Sequence, residues 1–147
     1  MTNNEKVWSK NLPKELIITI PGKLPKELSP NFSPLEGNNW AKRKARKEFG
    51  MTVYFLAVDA RNRWEKVNGE WSAPDVAEIV LRVLWWRRRP DADNLIASLK
   101  PAFDALKRAG IIRDDSPKHM KLIGTVIWLK APAEPQVGIY IQVKEEA

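Results

Sequence analysis

The chain has 147 residues, and 44% of them are hydrophobic. That is enough for one globular domain, which at this length buries about 70% of its unfolded surface, so a globular core is expected rather than extended disorder. With no cysteine and one histidine, His119, the sequence also excludes disulfide frameworks, zinc–thiolate centres, histidine-rich metal sites and cysteine nucleophiles, and its net charge of +7 favours an anionic polymer or an anionic membrane as partner.

No apolar run approaches the roughly 18 residues of a membrane span, because Arg82 interrupts the longest candidate, between Ile79 and Trp86. Glu5, Lys6, Lys10, Lys14 and Glu15 precede the first apolar stretch, Leu16 to Ile20, which is too short for a signal-peptide core. The expectation is a cytoplasmic protein whose residues 1–15 form a flexible extension of a single domain spanning 1–147.

Leu16 to Ile20 is β-rich and stops at Pro21-Gly22, a strand followed by a turn. Four prolines and two glycines between 21 and 39 predict an ordered loop. From Trp40 to about Lys66 the spacing of Ala41, Ala45, Phe49, Val53, Leu56, Ala57, Ala60 and Trp64 predicts a long helix. Asn38 or Asn39 is placed to cap it. Gly50 argues against that helix by about 1 kcal/mol relative to alanine. Val76 to Trp86 is apolar almost without a break, which predicts a strand buried on both faces.

Residues 93 to 109 predict a helix closed by Gly110, with Pro101 inside it imposing a kink or a division into two short helices. Proline also pushes Lys100, the residue before it, out of helical geometry. Leu122 to Leu129 and Val137 to Val143 predict two final strands, paired as a hairpin around the Pro132–Pro135 loop. The order is β-α-β-α-β-β: one α/β (α+β) domain, a mixed sheet packed by two helices.

Chemistry concentrates at the ends of the second helical segment. Asp91, Asp93 and Asn94 open it, beside Arg87, Arg88 and Arg89, and Asp114-Asp115 follow its close. One aspartate is explained by capping; two, plus an acidic pair at the far end, are not. An EF-hand is excluded, since Leu95 stands at its third ligand position, Ile96 at its turn glycine and Ala102 at its terminal glutamate. The nuclease pattern Pro-Asp followed by acid-x-Lys also misses, because Ser98 and Ser116 precede Lys100 and Lys118 where an acid is needed. Carboxylates beside arginines remain, and they suit a hard cation and a polyphosphate. Lys100 either pairs with Asp93 or Asp104 on a solvated helix face or brings an ammonium to a phosphate.

Lys42, Arg43, Lys44, Arg46 and Lys47 crowd the start of the long helix, with only Glu48 nearby to offset them. Such runs are usually solvated faces, yet uncompensated like charge is relieved by a polyanion. Trp85 and Trp86, adjacent on a strand, face opposite ways, so at most one can stack on a base.

The segment Arg89-Pro90-Asp91-Ala92-Asp93-Asn94-Leu95, then Lys100, Ala102-Phe103-Asp104-Ala105-Leu106, Ala109-Gly110 and Asp114-Asp115, resembles the RusA family of Holliday junction resolvases. Those enzymes are small metal-dependent endodeoxyribonucleases often carried by phages and prophages. Leu28-Ser29-Pro30-Asn31 and Asn39-Trp40-Ala41-Lys42 look like the family's opening loop and first helix. The resemblance implies that Asp91, Asp93 and Asp115 bind Mg²⁺, that Lys100 is the essential lysine, and that Asp114 is a possible further ligand. It further implies a mixed α/β fold and a homodimer that cuts four-way DNA junctions in recombination and repair, without a nucleotide cofactor or a membrane. Lys42, Arg43, Arg46, Lys47 and Arg87 to Arg89 are the expected DNA contacts. Asp93 and Lys100 stand seven residues apart, about one turn more than in the family pattern, which keeps one helical face.

Overall fold

The computed structural model describes residues 14–22, 24–28, 39–84, 92–128 and 138–146, with the side chains of 26, 84, 92, 93 and 125–128 outside the description. Strand β1 runs Glu15–Ile20 and is followed by a 3₁₀ turn at Lys26–Leu28. Helix α1 spans Trp40–Asn68 and strand β2 Ala77–Leu84. Helices α2 (Ala92–Ser98) and α3 (Lys100–Arg108) precede strands β3 (Met120–Trp128) and β4 (Ile139–Glu145). The predicted element order and α/β class hold. The expected extension at the N-terminus lies outside the described residues except at Lys14 and Glu15, the latter already in β1.

The expected hairpin does not form. The sheet order is β1-β4-β2-β3, so β2 lies between the last two strands, parallel to β3 and antiparallel to β4. The reason is register and composition. Ile79, Leu81 and Val83 supply a run of β-branched and aliphatic side chains that fits the centre of a sheet, whose neighbours then pair on both edges. Closing the sheet as a terminal hairpin would leave this strand at an edge.

Burial along β2 alternates, which corrects the expectation of a strand covered on both faces. Ala77, Ile79, Leu81 and Val83 are buried, whereas Arg82 is exposed and Glu78 and Val80 are half-buried. Leu16, Ile18 and Ile20 of β1 and Ile139, Ile141 and Val143 of β4 face the same side and join the core. All helices therefore cover one side. On the other, the register lines up Glu15, Lys144, Glu78 and Lys121 as a row of alternating charge across all four strands. Arg82 lies over the Tyr140 ring at 5.0 Å in the same face, so the apolar run in the sequence includes solvent-side positions.

Helix α1 buries Phe49, Gly50, Val53, Ala57 and Ala60, the stripe its spacing predicts. Asn39 occupies the N-cap position, but its side chain makes no capping bond; only its carbonyl is engaged, accepting the N–H of Arg43 at 3.0 Å. Gly50 faces α3, where a Cβ would lie 3.6 Å from the Pro101 carbonyl oxygen. That is ordinary contact, so the small residue permits close approach without requiring it.

Proline does divide the second helical segment, but one residue earlier than expected. Leu99 is the break, with φ −93° and ψ 2°, and Lys100 already belongs to α3. Placed in the first turn, Pro101 removes an N–H that a helix start leaves unpaired anyway. The far end of α3 closes with a Schellman turn: Gly110 N–H donates to Lys107 and Ile111 N–H to Leu106, at 3.0 and 2.9 Å. Gly110 has φ +74°, and a Cβ there would meet Arg61 Nη1 at 2.9 Å.

These two glycines should respond oppositely to alanine. In urea titrations Gly50→Ala is expected to gain up to about 1 kcal/mol through helix propensity. Gly110→Ala should lose at least about 1 kcal/mol through left-handed strain. Destabilisation at position 50 would show that the α1–α3 contact is tighter than described.

Candidate active site

The Schellman turn positions the acidic pair. Beyond Gly110 the chain reverses, burying Ile111 and Ile112, and two groups from α1 and its exit hold the reversed segment. Arg61 Nη1 donates to the Ala109 carbonyl at 2.7 Å, and buried Trp71 Nε1 donates to the Ile111 carbonyl at 3.1 Å. Glu65 accepts the Trp71 backbone N–H at 2.9 Å and lies 3.6 Å from Arg61 Nε. Trp64 packs edge-on against Trp71, ring centres 4.9 Å apart. The chain then returns alongside α3 and delivers Asp114 and Asp115 to it.

Two ion pairs form there. Lys100 Nζ donates to Asp115, and its distance to Asp104 Oδ1 is 3.4 Å. Lys107 Nζ lies 3.1 Å from Asp114 Oδ1. The sequence reading foresaw the Asp104 contact but not the one to Asp115, fifteen residues away. Asp115 is the most enclosed of these acids, with a side chain 14% exposed. Its own N–H donates to Asp114 Oδ1 at 2.9 Å, and the two carboxylates pair with different lysines.

Protonation follows from these contacts. The hydrogen bond to Asp115 raises the Lys100 pKa, against some loss from burial, and the Asp104 charge adds to the rise. Lys100 is thereby kept as an ammonium, suited to bind a phosphate or donate a proton and unsuited to act as a base. Lys107 is raised likewise, chiefly by its bond to Asp114. Asp114 is lowered from 3.8 to about 2 by the Lys107 hydrogen bond and then by the Asp115 N–H.

Other expected residues fall in three groups. Asp91, Arg87, Arg88 and Arg89 lie outside the described residues, as do Trp85 and Trp86, and Asp93 is described only as backbone of α2. Among the described residues no cluster of three or more potential metal ligands occurs. Ionised Asp114 and enclosed Asp115 are nevertheless oxygen donors of the type Mg²⁺ takes. Arg46 and Lys47 line a groove between α1 and α3 together with Lys100, Pro101, Asp104 and Arg108. Lys42 and Arg43 sit one turn earlier, half-buried and exposed respectively, outside that lining. Lys44 is directed elsewhere, 3.9 Å from Glu48 and 5.0 Å from the Trp40 ring centre. His119, given no role by its isolation in the sequence, has Nδ1 2.9 Å from the Asp75 carbonyl oxygen.

The site's missed members are Arg108, Tyr54, Phe55 and Met51, all in the groove lining. One signal was present in the sequence: Phe55 falls outside the apolar stripe of α1, which marks it as a solvent-side aromatic. Comparison with protein-family models and with curated proteins gives no match to this chain.

Removing Lys107 should return the Asp114 titration toward an ordinary carboxylate value, read by NMR of the Asp carboxyl carbons across Lys107→Ala and the parent. Because the folded pKa is depressed, the pair's stabilisation is complete above about 3.8 and is lost as pH falls toward about 2. The stability difference between variant and parent should therefore close over that window. A difference independent of pH there would contradict the pairing.

Proposed function

We propose that this protein is a Mg²⁺-dependent endodeoxyribonuclease that resolves four-way DNA junctions, acting as a cytoplasmic homodimer of the RusA type. The observation that carries this reading is the pairing of Lys100 with Asp115. The lysine and one of the three carboxylates implied by the resemblance, remote in sequence, meet at one point beside a basic groove. No surface ion pair requires that meeting, since such pairs contribute little to stability.

Asp115, with Asp91 just before α2 in the sequence and Asp93 in its first turn, would hold the metal ion, and Asp114 would stand next to it. Bound Mg²⁺ supplies Lewis-acid polarisation of the scissile phosphate and an activated water. The chain's own part is positional and electrostatic. Lys100, held as an ammonium, neutralises charge on the phosphate or the leaving oxygen. Arg46, Lys47 and Arg108 draw the backbone into the groove and make binding salt-dependent. A homodimer presents two such sites related by a two-fold axis, matching paired incision of a near-symmetric junction. Among the described residues no helix is long and apolar enough to cross a membrane.

The direct assay follows one labelled four-way junction, one flap and one duplex, each with Mg²⁺ and with EDTA. Cleavage should be confined to the junction with Mg²⁺. Preferred cleavage of the flap would point instead to a nuclease for other branched DNA, and binding without cleavage to a junction-binding module. Lys100→Ala should lower the single-turnover rate by about a hundredfold or more while binding persists. Lys100→Arg should rescue poorly, because a planar fork does not replace a compact ammonium. Asp93→Asn and Asp115→Asn should bind at least as well as the parent and fail to cut. Parental cleavage rates in the Lys100 and aspartate variants would remove the assignment.

A further inference from the structure

The groove between α1 and α3 has a volume of about 930 Å³. Its walls combine two chemistries that rarely share a solvated surface. Arg46, Lys47, Lys100 and Arg108 bring four positive charges against the single carboxylate of Asp104. Met51 and Phe55, one and two turns beyond Lys47 on the same flank of α1, are 44% and 61% exposed. Exposed apolar side chains on a rim of cations are poorly explained as core, because Phe55 is outside the buried stripe. Single exposed apolar residues are ordinary on protein surfaces; what sets Met51 and Phe55 apart is that they share one groove with Tyr54 and four cations.

The two aromatic rings differ in availability. Arg108 stands over the Tyr54 ring at 5.4 Å, so that face is occupied by a cation. Tyr54 in turn meets Phe55 edge-on, with centres 5.6 Å apart at 70°. This contact steadies the Phe55 ring and leaves most of its surface open. A free π-face beside cations at backbone reach is the combination that single-stranded nucleic acid uses: phosphates pair with the cations and a base stacks on the ring. A duplex does not satisfy it, because paired bases present only their edges. The size is also apt, within the range of pockets that enclose a small organic ligand.

We propose that this groove binds an unpaired stretch of DNA, with one nucleobase stacked on Phe55 and flanked by Met51, and its phosphates held by Arg46, Lys47 and Arg108. The proposal rests on the nuclease reading for its biological setting, and deepens it. Lys100 belongs both to the groove and to the Asp115 pair, so a strand lying in the groove runs directly into the candidate active site. Bases opened at a branch point would be captured there.

The test is a binding experiment in EDTA, so cleavage does not enter it. Fluorescence anisotropy would follow a labelled oligothymidylate of about ten nucleotides, within the site sizes of single-strand grooves, and the same oligomer with abasic residues at its centre. The parent protein should bind the intact oligomer about tenfold or more tighter than the abasic one, the amount expected of one stacked base. Phe55→Ala should erase that difference, and Phe55→Trp should restore it. Arg46→Glu with Lys47→Glu should weaken both oligomers alike and reduce the salt dependence. The exposure of Phe55 spares the core in all these variants, and circular dichroism checks that they fold.

Equal affinity of the parent for intact and abasic strands would overturn the proposal. So would a base-dependent difference that survives in Phe55→Ala. A change of sedimentation state on Phe55→Ala, without change in base dependence, would overturn it in favour of a second copy of the chain covering the ring. The parent's junction assay is scored separately, so failure of the nuclease reading and failure of the groove are told apart.

Discussion

The parallel pairing of β2 with β3 is the constraint from which the candidate site follows. Parallel strands cannot be joined by a tight turn, so the chain must leave one end of β2 and return to the other before β3 can start. That crossover contains α2, α3, the Gly110 reversal and the acidic pair. Ile79, Leu81 and Val83 on the covered side of the sheet share one buried core with Leu95 and Leu99 of the crossover and with the buried face of α3. Ala102, Phe103, Ala105 and Leu106 are buried on α3, leaving Lys100, Asp104 and Lys107 to face outward. The core side of the helix thus fixes the charged side that the returning strand of chain meets.

Holding the return segment takes more than the helix itself. Arg61 and Trp71 bind carbonyls at Ala109 and Ile111, which leaves Asp114 and Asp115 with little freedom to drift from α3. Both anchors come from α1 or the segment just after it. The long helix therefore serves two purposes, since its earlier turns also furnish Arg46 and Lys47 to the groove. Basic residues in those turns run against the helix dipole, which favours anions at an N-terminus. Of these, Arg46 and Lys47 bring their charge to the groove side of Lys100.

Much of this was legible in the sequence, for physical reasons that differ by element. The long helix could be read because the stripe from Phe49 to Ala60 has helical period and one buried face. The division at Pro101 could be read because proline has few tolerated places in a helix, although its preference for the first turn moved the break to Leu99. The hairpin expectation failed because strand order is decided by competition for the centre of the sheet, which adjacent strands in sequence do not reveal. The two-sided burial of β2 failed for a related reason: Val80 reads as apolar regardless of which face it occupies. At the site, the acidic pair and Lys100 stood out by composition, but their contact depends on a reversal whose geometry only the left-handed Gly110 makes possible. Arg108 and Phe55 carried the weaker signals of a helix-end cation and an off-stripe aromatic.

The proposed function requires a divalent cation that joins the segment opening α2 to the acidic pair beside Lys100. Paramagnetic broadening of backbone amide resonances by substoichiometric Mn²⁺ reads this directly. Broadening should appear first and together near 91–94 and near 114–115, should reach Lys100, and should disappear at both places in Asp115→Asn. Broadening spread evenly over exposed acids such as Glu145 and Glu146, or confined to one of the two segments, would contradict it.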